Sequence, residues 1–321
     1  MLPYILKRLL MIIPVILGVT FIIFTIMNLT PGDSAMMILG EGAKPEEYQA
    51  LREEMGLNDP FFVRYFRYVW DALHGDFGKS YRTKIPVFQE IAARFPYTLY
   101  MALFSSVIAV ALGLPIGILS AVKQYTLSDN VALGVSLLLT SMPTFWLAMM
   151  MVLVFALRLK WLPSLGIDTW RHFILPSVAT SAATMASLLR MTRSTMLEVI
   201  RQDYIRTARA KGARESRVIF GHALQNALLP VITVIGVNFG IALGGTIVVE
   251  QVFAIPGLGQ LIVNAIRSKD SPMVIASVLF AAIIACVVNL LVDIVYVYID
   301  PRLKYKYVRV KARMKTRGAA S

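Results

Sequence analysis

Apolar runs long enough to cross a lipid bilayer recur six times in this chain, and they constrain its fold more than any other feature. A membrane-spanning helix needs about 20 predominantly apolar residues. The runs are Leu9–Thr30, Thr98–Val122, Val131–Leu157, Phe173–Leu189, Ala223–Val249 and Ser271–Ile299. Charged residues make up only 16% of the 321, where a soluble domain carries about a quarter. An all-α integral membrane protein with six transmembrane helices follows. The first run is longer than the roughly 7–15 apolar residues of a signal peptide core, and no small-residue cleavage site follows it. It is read as an uncleaved helix.

The net charge of +13 is explained by the side of the membrane it falls on. With the N-terminus inside, residues 1–8, 123–130, 190–222 and 300–321 face the cytoplasm and carry 19 Lys/Arg against five Asp/Glu. The opposite side has 13 Lys/Arg, eight of them in residues 31–97 beside ten acids. Long translocated segments count little in the positive-inside rule, so both termini are placed in the cytoplasm. The chain then divides into an N-terminal helix (1–30), an extracytoplasmic segment (31–97), a five-helix core (98–299) with a basic loop at 190–222, and a basic tail (300–321).

The 31–97 segment holds a helical pattern in PEEYQALREEMGL, with Tyr48, Leu51 and Met55 on one face. The aromatic stretch FFVRYFRYVWDAL follows. A piece this small buries little core alone and is expected to lean on the membrane helices or a partner. The tail is read as a solvated segment attracted to anionic headgroups. The lone cysteine, Cys286, excludes an internal disulfide, and His74, His172 and His222 lack ligand spacing. Gly78-Lys79-Ser80 imitates the end of a P-loop, but Leu73 stands where the first glycine is required.

Inside the runs, Gly236, Gly240 and Gly244 repeat every four residues along one helix face. Such stripes let backbones approach closely in lipid, either at a tight interface or beside a narrow pathway. Asn289 and Asp293 lie one helical turn apart. An intramembrane acid is costly unless it faces protein or water. Asp293 is read as a packing residue near the inner interface, with Arg190 as its candidate partner, against the sharper alternative of a substrate or proton site. Glu250, just past the fifth run, is placed at the outer interface, where an acid costs less.

The stretch YIRTARAKGARESR (204–217) is basic and sits between two apolar runs. Leu197, Ile200, Tyr204 and Ala208 fall at helical spacing, and Gly212 after Lys211 is a helix stop signal. A second short helix is expected from Ala213 to about His222, with Glu215 favoured in its first turn by the helix dipole. The pair would lie flat at the inner membrane surface.

The order of motifs resembles the dipeptide/oligopeptide/nickel permease family, the membrane subunits of binding-protein-dependent ABC importers. The residues that carry this are NLTPGD (28–33), MGLNDPFFVRYFRYVWDALHGDFGKSY (55–81), PVFQEIAARFPYTLYMAL (86–103), SMPTFW (141–146), WLPSLG (161–166), ILP (174–176), YIRTARAKGA (204–213), HALQNALLPV (222–231), EQVFAIPGLGQ (250–260) and DPR (300–302). They span nearly the full chain, and the long segment after the first helix is similar to the B-type subunit of the pair.

The resemblance implies the type I ABC importer transmembrane fold and no covalent chemistry on this chain. It implies a second, homologous permease, two cytoplasmic ATPase subunits that bind ATP and Mg2+, and an extracytoplasmic substrate-binding protein, all at a bacterial or archaeal cytoplasmic membrane. No cofactor is expected on the chain itself. Arg206–Pro230 is similar to the coupling segment called the EAA loop, although the leading acid is replaced and the spacing from glycine to proline is longer. Ile200, Tyr204, Ile205, Thr207, Ala208, Arg209, Lys211 and Gly212 are the implied ATPase contacts, docked helix-in-groove. Gly236, Asn238, Gly240, Gly244, Asn289 and Asp293 are assigned to the pathway or a helix interface. Glu250, Phe253, Pro256, Gly257 and Gly259 are assigned to an outer gate or to docking of the binding protein. The implied cargo is a di- or oligopeptide, with nickel chelates and other small substrates in the same family. The rival from another class is an ion-coupled carrier with Asp293 as relay, but the inverted repeats and multiple buried charges usual there are missing from the sequence.

Overall fold

The computed structural model describes residues 2–30, 33–40, 42–244 and 246–299. Thirteen α-helices run through the described residues: α1 (Leu2–Leu29), α2 (Ser34–Leu39), α3 (Pro45–Glu54), α4 (Phe61–Leu73), α5 (Val87–Val122), α6 (Leu127–Ser141), α7 (Thr144–Met151), α8 (Ile174–Ile200), α9 (Asp203–Ala210), α10 (Leu224–Leu243), α11 (Ile247–Val252), α12 (Leu258–Arg267) and α13 (Ser271–Ile299). The basic tail and its DPR motif lie outside the described residues.

Five stretches are apolar and long enough to span a bilayer: Arg8–Leu29, Val87–Val122, Trp170–Ile200, Arg217–Leu243 and Ser271–Val295. The third apolar run departs from the expected straight span. It breaks into α6 and α7, which with the π-helical turns Val152–Arg158 form a pair bent by 101°. The cause is local. Pro143 cannot donate a backbone hydrogen bond, and it holds Met142 in an extended conformation (ψ 125°).

At the centre of the bundle α8 is packed by α5, α6, α7 and α10, while α13 packs on α10 and α1 packs on α13. The Ala, Ser and Thr that make the fourth run weakly hydrophobic are what let it be surrounded. It is also longer than expected, continuing past Leu189 to Ile200, so Arg190 and Arg193 belong to a helix and not to the basic loop. The most extensive contact is between α5 and α8. A Cβ on Gly113 would lie 2.8 Å from the Met185 carbonyl oxygen, and one on Gly117 would lie 2.8 Å from that of Leu189.

One end of the bundle carries α2–α4, and α4 leans on the membrane helices as anticipated. Tyr65 packs with Phe24 of α1 and Ile275 of α13, and edge-on ring contacts join Phe21 and Phe24 to Phe61 and Tyr65. At this end α5 already starts at Val87 and runs for 36 residues, so the boundary drawn at residue 97 falls inside a helix. The opposite end carries α9. The second short helix expected there is no separate element: Arg217–Ala223 forms π-helical turns that feed directly into α10. The fifth run is in turn divided, since α10 ends at Leu243 and α11 begins at Ile247.

Candidate functional site

The basic stretch forms a short amphipathic element fixed at two points. α8 stops at Ile200, and α9 starts after Gln202, whose extended backbone (ψ 149°) turns the chain. Ile200 therefore closes the preceding helix instead of sharing a helix with Tyr204. Ile205 is wholly buried among Ile118, Ala121, Met196, Val218 and Ile219. It anchors α9 and presents no surface to a partner. Ala208 is half-buried beside it.

The opposite face is open. Tyr204, Arg206, Thr207, Arg209 and Lys211 are exposed, and the Thr207 hydroxyl is spent on the Asp203 carbonyl at 3.0 Å. Gly212 ends the element in the left-handed region (φ 75°) with open space around its Cα. Across that turn Arg209 donates twice to Glu215, at 2.6 and 3.1 Å. The pair holds the Glu215 carboxyl below its ordinary range and ties the end of α9 to the start of the next helical segment.

The glycine stripe on α10 serves different purposes along its length. At Gly236 a side chain would collide with Val292 of α13, so this glycine sets a close helix approach. Gly240 and Gly244 instead line an apolar groove of about 340 Å³ between α10 and α13, together with Asn289. Asn289 is exposed there. Asn238 turns to α8, bonding the Val234 carbonyl at 2.8 Å and meeting Thr184 at 3.5 Å. Asp293 is paired, but not with Arg190. Arg8 of α1 reaches it at 3.0 and 3.2 Å, whereas Arg190 donates to Thr140 Oγ1 at 2.8 Å. α8 lies across α10 from α13, so Arg190 turns toward α6 instead.

Glu250 is not at an aqueous interface. It is fully buried; its Oε1 accepts from Thr98 Oγ1 at 2.9 Å and its Oε2 from the Gln260 amide at 2.8 Å. Thr98 Oγ1 accepts from the Leu258 amide at 2.8 Å. One carboxylate and one hydroxyl thus satisfy the orphan amides at the start of α12. Burial still pushes the carboxyl above its ordinary range, against the hydrogen bonds that lower it. Gly257 and Gly259 leave room for the carboxylate, since a Cβ would lie 2.5 Å from Glu250 Cδ or 2.9 Å from Oε2. Phe253 is 1% exposed and packs with Met101 and Phe173; Pro256 is half-buried. The EQVFAIPGLGQ motif is therefore an internal knot between α5, α11 and α12, so any gating it does acts through the fold rather than through its own surface.

Sequence reasoning missed the pairing of Asp129, on α6, with Arg193 on α8 at 2.7 and 2.8 Å. Their separation of 64 positions in the sequence left no local signal. It also missed Gly113 and Gly117, although their four-residue spacing is the same cue that drew notice to α10. Buried Asp270, which accepts from Ser80 Oγ and the Tyr81 amide, was likewise unseen.

Comparison with known proteins places this architecture. Residues 113–305 match the family described as "Binding-protein-dependent transport system inner membrane component". Residues 1–102 match "Binding-prot-dependent transport system membrane comp, N-term". The dipeptide transport system permease protein DppB of Alkalihalophilus pseudofirmus is 42% identical over 333 residues, covering 95% of this chain and 100% of that protein. The glutathione transport system permease protein GsiC of Salmonella paratyphi A is 42% identical over 306 residues, with the same coverage. Among solved structures, an inward-facing form of the methionine ABC transporter MetNI shares the fold with a TM-score of 0.57 at 19% identity, over 66% of this chain and 97% of that one. The chain belongs to the binding-protein-dependent transport system inner membrane components, as a multi-pass permease subunit of the peptide/oligopeptide type of ABC importer.

Proposed function

We propose that this chain forms, with a second homologous permease, the pathway by which an ATP-driven importer carries di- or oligopeptides across a cytoplasmic membrane. The α9 end faces the cytoplasm in this reading, as the excess of Lys and Arg in residues 190–222 and 300–321 argues. ATP and Mg2+ are bound by two partner ATPases, and an extracytoplasmic binding protein delivers the cargo. The dipeptide and glutathione permeases among its relatives support a short peptide as cargo.

One observation carries the coupling assignment: α9 offers a solvated face while its buried Ile205 is embedded between α5, α8 and the start of α10. A push on that face is delivered to three membrane helices at once. Helix-in-groove docking on an ATPase uses such an element. The test is cross-linking. Cysteine at exposed Thr207, in a chain whose single native cysteine is replaced, should join an ATPase subunit in the assembled complex. Failure of every exposed α9 position to cross-link, in complexes that still hydrolyse ATP and import dipeptide, would sink the assignment.

A further inference from the structure

A cavity of about 420 Å³ lies where α4 meets the ends of α1 and α13. Phe24, Met27, Pro272 and Ile275 make most of its wall from the membrane helices apolar, with Asn28 and Ser271 as the polar members. Four cations line the rest, and two of them are already neutralised: Arg52 pairs with Asp33, and Arg67 pairs with Asp59. Arg64 and Lys79 have no ion-pair or hydrogen-bond partner among the described residues. Among the described residues one uncommitted acid, Asp71, stands against these two, which leaves a net positive charge.

Two further observations point to a missing acceptor. The Arg64 guanidinium is partly buried against the Phe24 ring, 5.9 Å from its centroid, and burial lowers its pKa. One turn along the same face of α4, the Tyr68 hydroxyl is buried with no hydrogen-bond partner. A buried hydroxyl without a partner forfeits the hydrogen bonds it makes in water.

We propose that this cavity is an oxyanion site that binds a phosphate group. Arg64 supplies the planar fork of donors suited to it, Tyr68 donates a further hydrogen bond, and Lys79 adds a cation. A net single positive charge suits the monoanion of a phosphodiester. The cavity lies at the ends of α1 and α13, which a bilayer spanned by these helices would bring to headgroup depth, and Phe24, Met27 and Ile275 would bed the first carbons of an acyl chain. The phosphate can come from a phospholipid or from free phosphate in solution. The inference is independent of which cargo the transporter carries.

The test uses the full chain, purified in a non-ionic detergent and examined by native mass spectrometry. The probes are phosphatidylglycerol, a diacylglycerol with the same chains, and inorganic phosphate. Phosphatidylglycerol is expected to bind more tightly than diacylglycerol, and Arg64→Gln to weaken it about tenfold or more, the loss of a charge-assisted hydrogen bond. Tyr68→Phe, which removes a hydroxyl and leaves the packing, is expected to cost about fivefold, and it decides the matter if the Arg64 variant does not fold. Arg64-dependent binding of inorganic phosphate without the lipid would assign the site to a soluble anion. Binding of neither phosphate probe, or binding unchanged in both variants, overturns the proposal.

Discussion

The Asp129 carboxylate meets the Arg193 guanidinium in a two-point contact, with Nε–Oδ1 at 2.7 Å and Nη2–Oδ2 at 2.8 Å. Asp129 is 1% exposed. Ser120 Oγ and the Tyr125 amide also donate to it, so one carboxylate ties the end of α5, the turn after it, α6 and α8 together on the side of the bundle that carries α9.

Breaking this pair from one side should be worse than removing both partners. Asp129→Ala strands a mostly buried guanidinium and is expected to cost about 3–5 kcal/mol, whereas replacing both residues with apolar side chains of similar volume is expected to cost much less. Thermal unfolding of the purified chain, read for both variants, checks this. Equal losses would mean that the cost lies in losing the contact and not in the charge left unpaired.

These residues show what the sequence could and could not announce. Long apolar runs report helices because the bilayer demands length and hydrophobicity, and the stop at Gly212 is legible because a helix end needs local chemistry. The bend at Pro143 was also there to be read, since the restriction a proline places on its predecessor is local. Partners were not legible. Arg8 and Asp293 are separated by most of the chain, and Asp129 lay in what looked like an ordinary cytoplasmic loop. Glu250 was misplaced because its short helix follows an apolar run like an interfacial cap, and only the return of α12 encloses it.

Glu250 should tolerate amide replacement but not truncation. The Glu250→Gln variant would still offer a carbonyl to the amides at the start of α12 and could donate to Thr98 in place of accepting from it. Glu250→Ala would leave the Gln260 amide and the Thr98 hydroxyl without their acceptor, at about 1–3 kcal/mol for each group. The pH dependence separates the variants further. Because burial raises the folded-state pKa of Glu250 above its ordinary value of 4.5, the fold favours the protonated acid. Its contribution to stability is present below about pH 4.5 and is lost as pH rises through the raised value. Glu250→Gln should lack that part of the slope in unfolding midpoints measured across pH; an identical slope would show that another group titrates.

Gly236→Ala should loosen α10 from α13, since even a methyl group there meets Val292. Gly240→Ala, whose added carbon would sit 3.7 Å from Val288, should be nearly silent. Unfolding midpoints of the two variants provide the comparison. Restoration of the Gly236 variant by Val292→Ala would identify the collision, and no restoration would mean that the cost arises elsewhere.

Gly212 separates backbone strain from bulk. No atom crowds its Cα, yet its φ of 75° costs an L-residue about 1–2 kcal/mol. Gly212→Ala should therefore distort the turn that sets α9 against the Arg209–Glu215 pair, while Gly212→Asn should be milder, because asparagine visits the left-handed region more readily. Bulk by itself should not matter. In vesicles holding the assembled transporter, the alanine variant is expected to keep normal amounts of protein in the membrane and to lose most of its ATP-driven uptake, with asparagine retaining more. The opposite order would mean that side-chain volume, and not the conformation of the turn, controls coupling at this position.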